Sequence, residues 1–188
     1  MTPEEEVLGK VVQLLEASSV PYMVTGSIAL SYHGRPRATH DADVVIDPAP
    51  DQLDSLIRDL ETAGFYVDAD GAREALRLRR QFNVIEMTRA TKIDLIVRKE
   101  RPFSLEEFSR RQPVDLSFAR AVATVTPEDS VLSKLEWARL SGDSERQIRD
   151  AAGVVELNPG LDREYVLRWA EQLGVVDLWE RISRLPET

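Results

Sequence analysis

The chain of 188 residues contains no cysteine. Disulfides, thiolate zinc sites and a cysteine nucleophile are thereby excluded. Histidine is almost as scarce, and His33 and His40 stand at no metal-ligand spacing, which argues against structural zinc. No run approaches the roughly 20 apolar residues that a membrane-spanning helix requires. The first residues, Met1-Thr2-Pro3-Glu4-Glu5-Glu6, are acidic and lack an apolar signal core, so the expected location is the cytoplasm. Positive charge is also in deficit: 24 Lys and Arg face 33 Asp and Glu, a net charge of −9. A general, sequence-independent coat for nucleic acid needs a basic surface and is not expected. What is present, 43% hydrophobic and 30% charged residues, excludes wholesale disorder and suits one substantial core with a smaller helical appendage. Basic residues do cluster locally, at Arg73, Arg77, Arg79 and Arg80, at Arg98, Lys99 and Arg101, and at Arg110 and Arg111. Such runs are ordinarily solvated faces, and the alternative is a basic rim for an RNA acceptor.

Thr2-Pro3-Glu4-Glu5 opens a helix, with a capping residue, proline at the first helical position and acids in the first turn. Val7, Val11, Leu14 and Leu15 continue it as one apolar stripe that ends near Ser18-Ser19. Residues 21–25 read as a short buried strand, Ser27 to His33 as a brief helix closed by Gly34, and Asp41 to Asp47 as a strand broken by Pro48. Leu53, Leu56, Ile57 and Leu60 mark an amphipathic helix stopped by Gly64; Phe65-Tyr66-Val67 is a strand and Ala72 to Arg80 a helix. Phe82 to Glu86 and Lys92 to Val97 form a hairpin. After Pro102 the pattern turns helical, with starts at Thr126-Pro127, Ser144, Asp162 and Val175, and a break at Asn158-Pro159-Gly160. The expected organisation is an α/β (α+β) part over residues 1–120, a mixed sheet flanked by helices, followed by a helical part over residues 121–188.

Three acids carry the chemistry. In a strand, residues two apart share a face, so Asp41 and Asp43 project together. Two like charges held so close call for a cation, and oxygen-only ligands favour Mg²⁺ or Mn²⁺. An isolated Asp-x-Asp also occurs at turns and caps; Asp94, flanked by Ile93, Leu95, Ile96 and Val97, is more telling, because an ionised carboxylate in an apolar strand needs a partner or a metal. If the two strands are neighbours, Asp41, Asp43 and Asp94 converge as a two-metal site in outline. Gly26 before the helix at Ser27 is a cradle for phosphate. Asp47 shares the face of Asp43 but precedes Pro48 and reads as a turn residue; His40 either approaches substrate or, as a lone histidine more often does, serves as a surface or capping group.

Gly26-Ser27, Asp41-x-Asp43 and Asp94 together resemble the signature of the DNA polymerase β-like nucleotidyltransferase superfamily. Within it the chain is most similar to the minimal nucleotidyltransferases related to AbiE-type toxins, over about residues 20–155. The resemblance implies a nucleotidyltransferase fold, with Asp41, Asp43 and Asp94 as catalytic and metal-binding residues and Mg²⁺ (or Mn²⁺) as cofactor. An NTP would be the substrate, releasing pyrophosphate as its nucleoside monophosphate moves to a hydroxyl. It also implies a lysine and an Arg-Asp pair near the nucleotide, matched here by Lys134 and by Arg149-Asp150, so that Gly26, Ser27, Lys134 and Asp150 bind the nucleotide. Gly153 stands where that pattern often has a second acid. Lys134 is equally compatible with an exposed helix lysine. The acceptor, whether RNA, protein or small molecule, is open. Two other readings stand beside this one: a non-catalytic subunit that binds a cognate toxin or antitoxin, and an antibiotic-modifying enzyme.

Overall fold

A reciprocal cap starts the chain. In α1 (Pro3–Ala17) the Glu5 amide donates to Thr2 Oγ1 at 3.2 Å, and the Thr2 amide donates to the Glu5 carboxylate at 2.8 Å. Two of the amides that every helix N-terminus leaves unpaired are thus satisfied. Val7, Leu8, Val11, Val12 and Leu15 follow at helical spacing and are buried, each contributing about 1.5–3 kcal/mol by leaving water. The structure is a computed structural model describing residues 2–34 and 42–184.

The elements that follow are β1 (Tyr22–Thr25), α2 (Gly26–His33), β2 (Ala42–Ile46), α3 (Pro50–Thr62), β3 (Phe65–Val67), α4 (Ala69–Leu78), β4 (Gln81–Glu86) and β5 (Thr91–Val97). Then come α5 (Pro102–Ser109), β6 (Gln112–Val114), β7 (Val122–Thr124), α6 (Pro127–Leu140), α7 (Glu145–Leu157), α8 (Arg163–Leu173) and α9 (Val176–Ser183). Among the described residues the strands form one mixed sheet of seven in the order β3-β4-β5-β2-β1-β7-β6. The α4 helix begins three residues earlier than its apolar pattern indicates, because the Asp68 carboxylate caps it by accepting from the Gly71 amide at 3.0 Å. The pair β6 and β7 is absent from the sequence reading, which continues helically after Pro102. Each is only three residues long, too short for alternation to show, and Pro113 fits β6 because that strand is the sheet's edge.

Two compact units result, one of residues 2–28 and 42–124, the other of residues 29–34 and 125–184. In the first, Tyr22, Val24, Ala42, Val44, Ile46, Phe82, Val84, Ile93, Leu95 and Val97 turn one face of the sheet into a core shared with α1, α3 and α4. Period-two alternation then assigns the intervening residues, Asp43 and Asp94 among them, to the opposite face. The second unit is helical, with α6 packed on α7 and α8, and α9 on α7 and α8. Its Thr126 caps α6, accepting from the Asp129 amide at 3.2 Å while its hydroxyl donates to the Asp129 carboxylate at 2.7 Å. The Tyr165 hydroxyl donates to the other Asp129 oxygen at 2.6 Å, and Asp129 is fully buried. His33 is also a core residue of this unit: its Nε2–H donates to the Val125 carbonyl at 2.7 Å, and burial pushes its pKa below the usual histidine value.

Among the described residues no helix is long and apolar enough to cross a membrane. Removing the Tyr165 hydroxyl takes a hydrogen bond from a buried carboxylate, so Tyr165→Phe is expected to lower unfolding free energy by about 1.5–3 kcal/mol in urea denaturation.

Candidate functional site

Strand order decides which acids meet. The parallel pairing of β2 with β5 puts Asp43 in register with Asp94. Neighbouring strands lie about 4.8 Å apart, so the two carboxylates are side by side on the face that α1, α3 and α4 leave free. Antiparallel pairing extends the row at both ends, with Thr25 in register with Asp43 and Asn83 with Asp94. The row thus reads Thr25, Asp43, Asp94, Asn83 across β1, β2, β5 and β4. Asp94 is buried, Asp43 half-buried and Asn83 exposed, which makes one end accessible. Asp41 lies outside the described residues, as do His40, Arg35 and Arg37. Among the described residues no group of three or more potential ligands forms a metal cluster.

Gly26 directly follows β1 and adopts φ +63°, a left-handed conformation that costs an L-residue roughly 1–2 kcal/mol. Space demands glycine there as well: a Cβ on Gly26 would sit 2.0 Å from Asp43 Oδ2 and 2.9 Å from its carboxyl carbon. The Asp43 carboxylate therefore lies directly against the turn that leads into α2. Ser27 is the next residue, in the first turn of that helix.

Asp94 is asymmetric. Lys92 shares its face two residues earlier on β5, and Lys92 Nζ donates to Asp94 Oδ2 at 3.0 Å. Oδ1 is buried and has no hydrogen-bond partner. A buried unpartnered polar atom costs about 1–3 kcal/mol, more on a charged group. An unsatisfied carboxylate oxygen beside a second carboxylate in register suits a hard divalent cation, whose ligands are oxygens. The residues present therefore fit Mg²⁺ or Mn²⁺. Lys92 went unnoticed in the sequence reading, although its spacing of two from Asp94 in a strand was the available signal.

In the helical unit, Lys134 of α6 and Asp150 of α7 form an ion pair at 3.4 Å, their side chains only 14% and 12% exposed. Lys134 is thus not a solvated helix lysine. The basic runs are engaged in other ways. Arg73 bonds Asp54 and Asp70, Arg77 bonds Glu74, and Arg79 bonds Asp47 and Glu100. Arg98 reaches Asp47 at 2.8 Å, and Arg111 lies 4.2 Å over the Phe108 ring. Asp47, expected as a turn residue, clamps the left-handed Arg79 and Arg98. Because α4 packs on the core face through Ala72 and Ala75, its arginines belong to the side of the sheet opposite the acids.

No family model and no curated protein matches the chain. Solved structures do. The solution structure of the antibiotic-resistance factor ANT(2'')-Ia is similar with a TM-score of 0.60 and 14% identity, over 96% of this chain and 97% of that one. Its crystal structure in complex with adenylyl-2''-tobramycin gives 0.60 and 16%, over 96% and 99%. An antigenic nucleotidyltransferase-like protein from Paracoccidioides brasiliensis gives 0.57 and 16%, over 98% and 94%. The chain therefore has a nucleotidyltransferase fold.

Since a methyl group on Gly26 must displace the Asp43 carboxylate, Gly26→Ala is expected to weaken Mn²⁺ binding at least about tenfold. Its unfolding free energy should fall by only about 1–2 kcal/mol. Titration calorimetry and denaturation of the same preparation separate the two effects.

Proposed function

We propose that this protein is a divalent-metal-dependent nucleotidyltransferase that moves a nucleoside monophosphate from an NTP to a hydroxyl and releases pyrophosphate. One observation carries the reading: Asp43 and Asp94 are in register on neighbouring strands, with Asp94 Oδ1 buried and unpartnered and the Asp43 carboxylate against Gly26. Asp43 and Asp94, joined by Asp41, would hold Mg²⁺ or Mn²⁺. When bound, such ions would neutralise charge on the departing pyrophosphate and acidify the attacking hydroxyl. Gly26 and Ser27 receive the phosphates, because a turn leading into a helix N-terminus offers unpaired amides to an anion. In-line displacement sets the attacking oxygen opposite the leaving group. With the triphosphate at the Gly26 end of the row, the acceptor hydroxyl enters from the end marked by Asp94 and Asn83. There its oxygen would form a bond to the α-phosphorus, giving up its proton to solvent, as the bond from that phosphorus to the pyrophosphate oxygen breaks. Lys134 and Asp150 serve nucleotide binding in this reading, the ammonium as a point charge for phosphate.

An RNA acceptor loses support, because Arg73 and Arg77 of α4 are ion-paired in the layer on the opposite face of the sheet, and Arg79 beyond that helix is held by Asp47 and Glu100. A hydroxyl of a small molecule or a protein is the better-supported acceptor. The likeness to ANT(2'')-Ia, a protein described as an antibiotic-resistance factor and bound to adenylyl-2''-tobramycin, supports the small molecule. The AbiE-type pattern at Lys134 and Arg149-Asp150 supports a protein partner and a place in a toxin-antitoxin pair.

With α-labelled NTPs, Mg²⁺ and a panel of aminoglycoside and protein acceptors, Asp43→Asn and Asp94→Asn are each expected to lower transfer by on the order of a thousandfold. Transfer undiminished in both variants overturns the reading. Replacing Lys134 by Met and Asp150 by Asn together removes both charges without stranding either in the interior. The double variant is expected to fold and to raise KM for the NTP about tenfold, and an unchanged KM removes the pair from the nucleotide site.

A further inference from the structure

We propose that Lys92 is a positioning residue for Asp94: its ammonium holds one carboxylate oxygen so that the other alone is offered to the cation or to the acceptor hydroxyl. The proposal rests on the nucleotidyltransferase reading of the acid row. Three observations support it. Lys92 and Asp94 are two residues apart on β5 and share a face, with Nζ 3.0 Å from Oδ2. Oδ1 of the same carboxylate is buried and without a hydrogen-bond partner. The pair is also unequal in exposure, the Lys92 side chain being 41% exposed and that of Asp94 11%. Lys92 is therefore the more solvent-exposed member of a pair whose carboxylate is nearly enclosed.

The chemistry follows from that division. A free carboxylate can rotate and chelate a cation through both oxygens, whereas one whose Oδ2 is held by an ammonium presents a single oxygen in a fixed direction. A fixed direction matters because small displacements of reacting groups cost large factors in rate. The same ammonium opposes a second cation beside Asp94, since like charges a few ångströms apart repel even where solvent screens them. Lys92 would thus trade affinity for metal against orientation of Asp94. A residue with only a structural role would not produce that trade, because its loss weakens binding and turnover together.

The test compares wild type, Lys92→Met, Lys92→Arg and Asp94→Asn. Mn²⁺ affinity of the NTP-free protein is read by electron paramagnetic resonance, fold by circular dichroism and thermal melting, and transfer by kcat and KM. Methionine keeps the unbranched side chain opposite Ile85, its register partner on β4, so Lys92→Met is expected to fold. It should bind Mn²⁺ about tenfold more tightly while kcat falls on the order of a hundredfold. Lys92→Arg should restore most of kcat, because a guanidinium also donates to Oδ2. Mn²⁺ binding that depends on Asp94 in the wild type but is unchanged or weaker in Lys92→Met overturns the positioning role alone. A kcat within twofold of wild type in that variant does the same, as does misfolding of both Lys92 variants, which would make the lysine a structural element. A wild type with no Mn²⁺ binding overturns the metal reading and the proposal together.

Discussion

Everything the acid row can do depends on the parallel pairing of β2 with β5. These strands are far apart in the chain, and the connection between them runs through α3, β3, α4 and β4 before β5 enters the sheet between β4 and β2. A one-residue slip in this pairing would not merely separate Asp43 from Asp94; it would turn the alternation and carry Ile93 or Leu95 to the acid-bearing face. The register is guarded by the opposite face, where Val44, Ile46, Leu95 and Val97 are entirely buried with α1 and α3. Core packing on one side of the sheet therefore holds two like charges together on the other. Mutual repulsion and the unpartnered oxygen oppose this arrangement, and both are the kind of local cost that persists only where surrounding structure over-determines it.

Much of this was legible beforehand, for identifiable reasons. The α1 and α3 helices carry apolar residues at helical spacing and strong starts at Thr2-Pro3 and Pro50, so local signals sufficed. Asp94 stood out because a carboxylate amid Ile93, Leu95, Ile96 and Val97 contradicts its own strand. What could not be read was strand order, since the in-register meeting of Asp43 and Asp94 is a long-range property with no local pattern. The short strands β6 and β7 escaped for a different reason: three residues carry one alternation at most. A lysine at the start of a strand ordinarily points to solvent, so the spacing of two between Lys92 and Asp94 is a weak signal, made specific by the 3.0 Å contact.

Gly26 shows how backbone and chemistry are joined. Its positive φ is what a sharp exit from β1 requires, and glycine tolerates that conformation where other residues are strained. The absence of a side chain has a second consequence, because the vacated space is occupied by the Asp43 carboxylate. One residue thus sets both the sharp exit from β1 and the close approach of the Asp43 carboxylate to the turn that follows it.

The charge of the chain acquires a local meaning from these pairings. A net −9 taken alone speaks against an anionic partner, yet the proposed reaction needs a triphosphate to be admitted. The basic residues resolve the conflict by their distribution. Arg73 and Arg77 of α4 and Arg79 beyond it are held by Asp54, Asp70, Glu74, Asp47 and Glu100 rather than left to reach for phosphate. Lys92 on the acid-bearing face and Lys134 in the helical unit are instead bound to carboxylates that the reading assigns to chemistry, Asp94 and Asp150. A lysine paired with an acid is poised rather than consumed: its three donors allow it to keep the carboxylate in place while a further oxygen joins it.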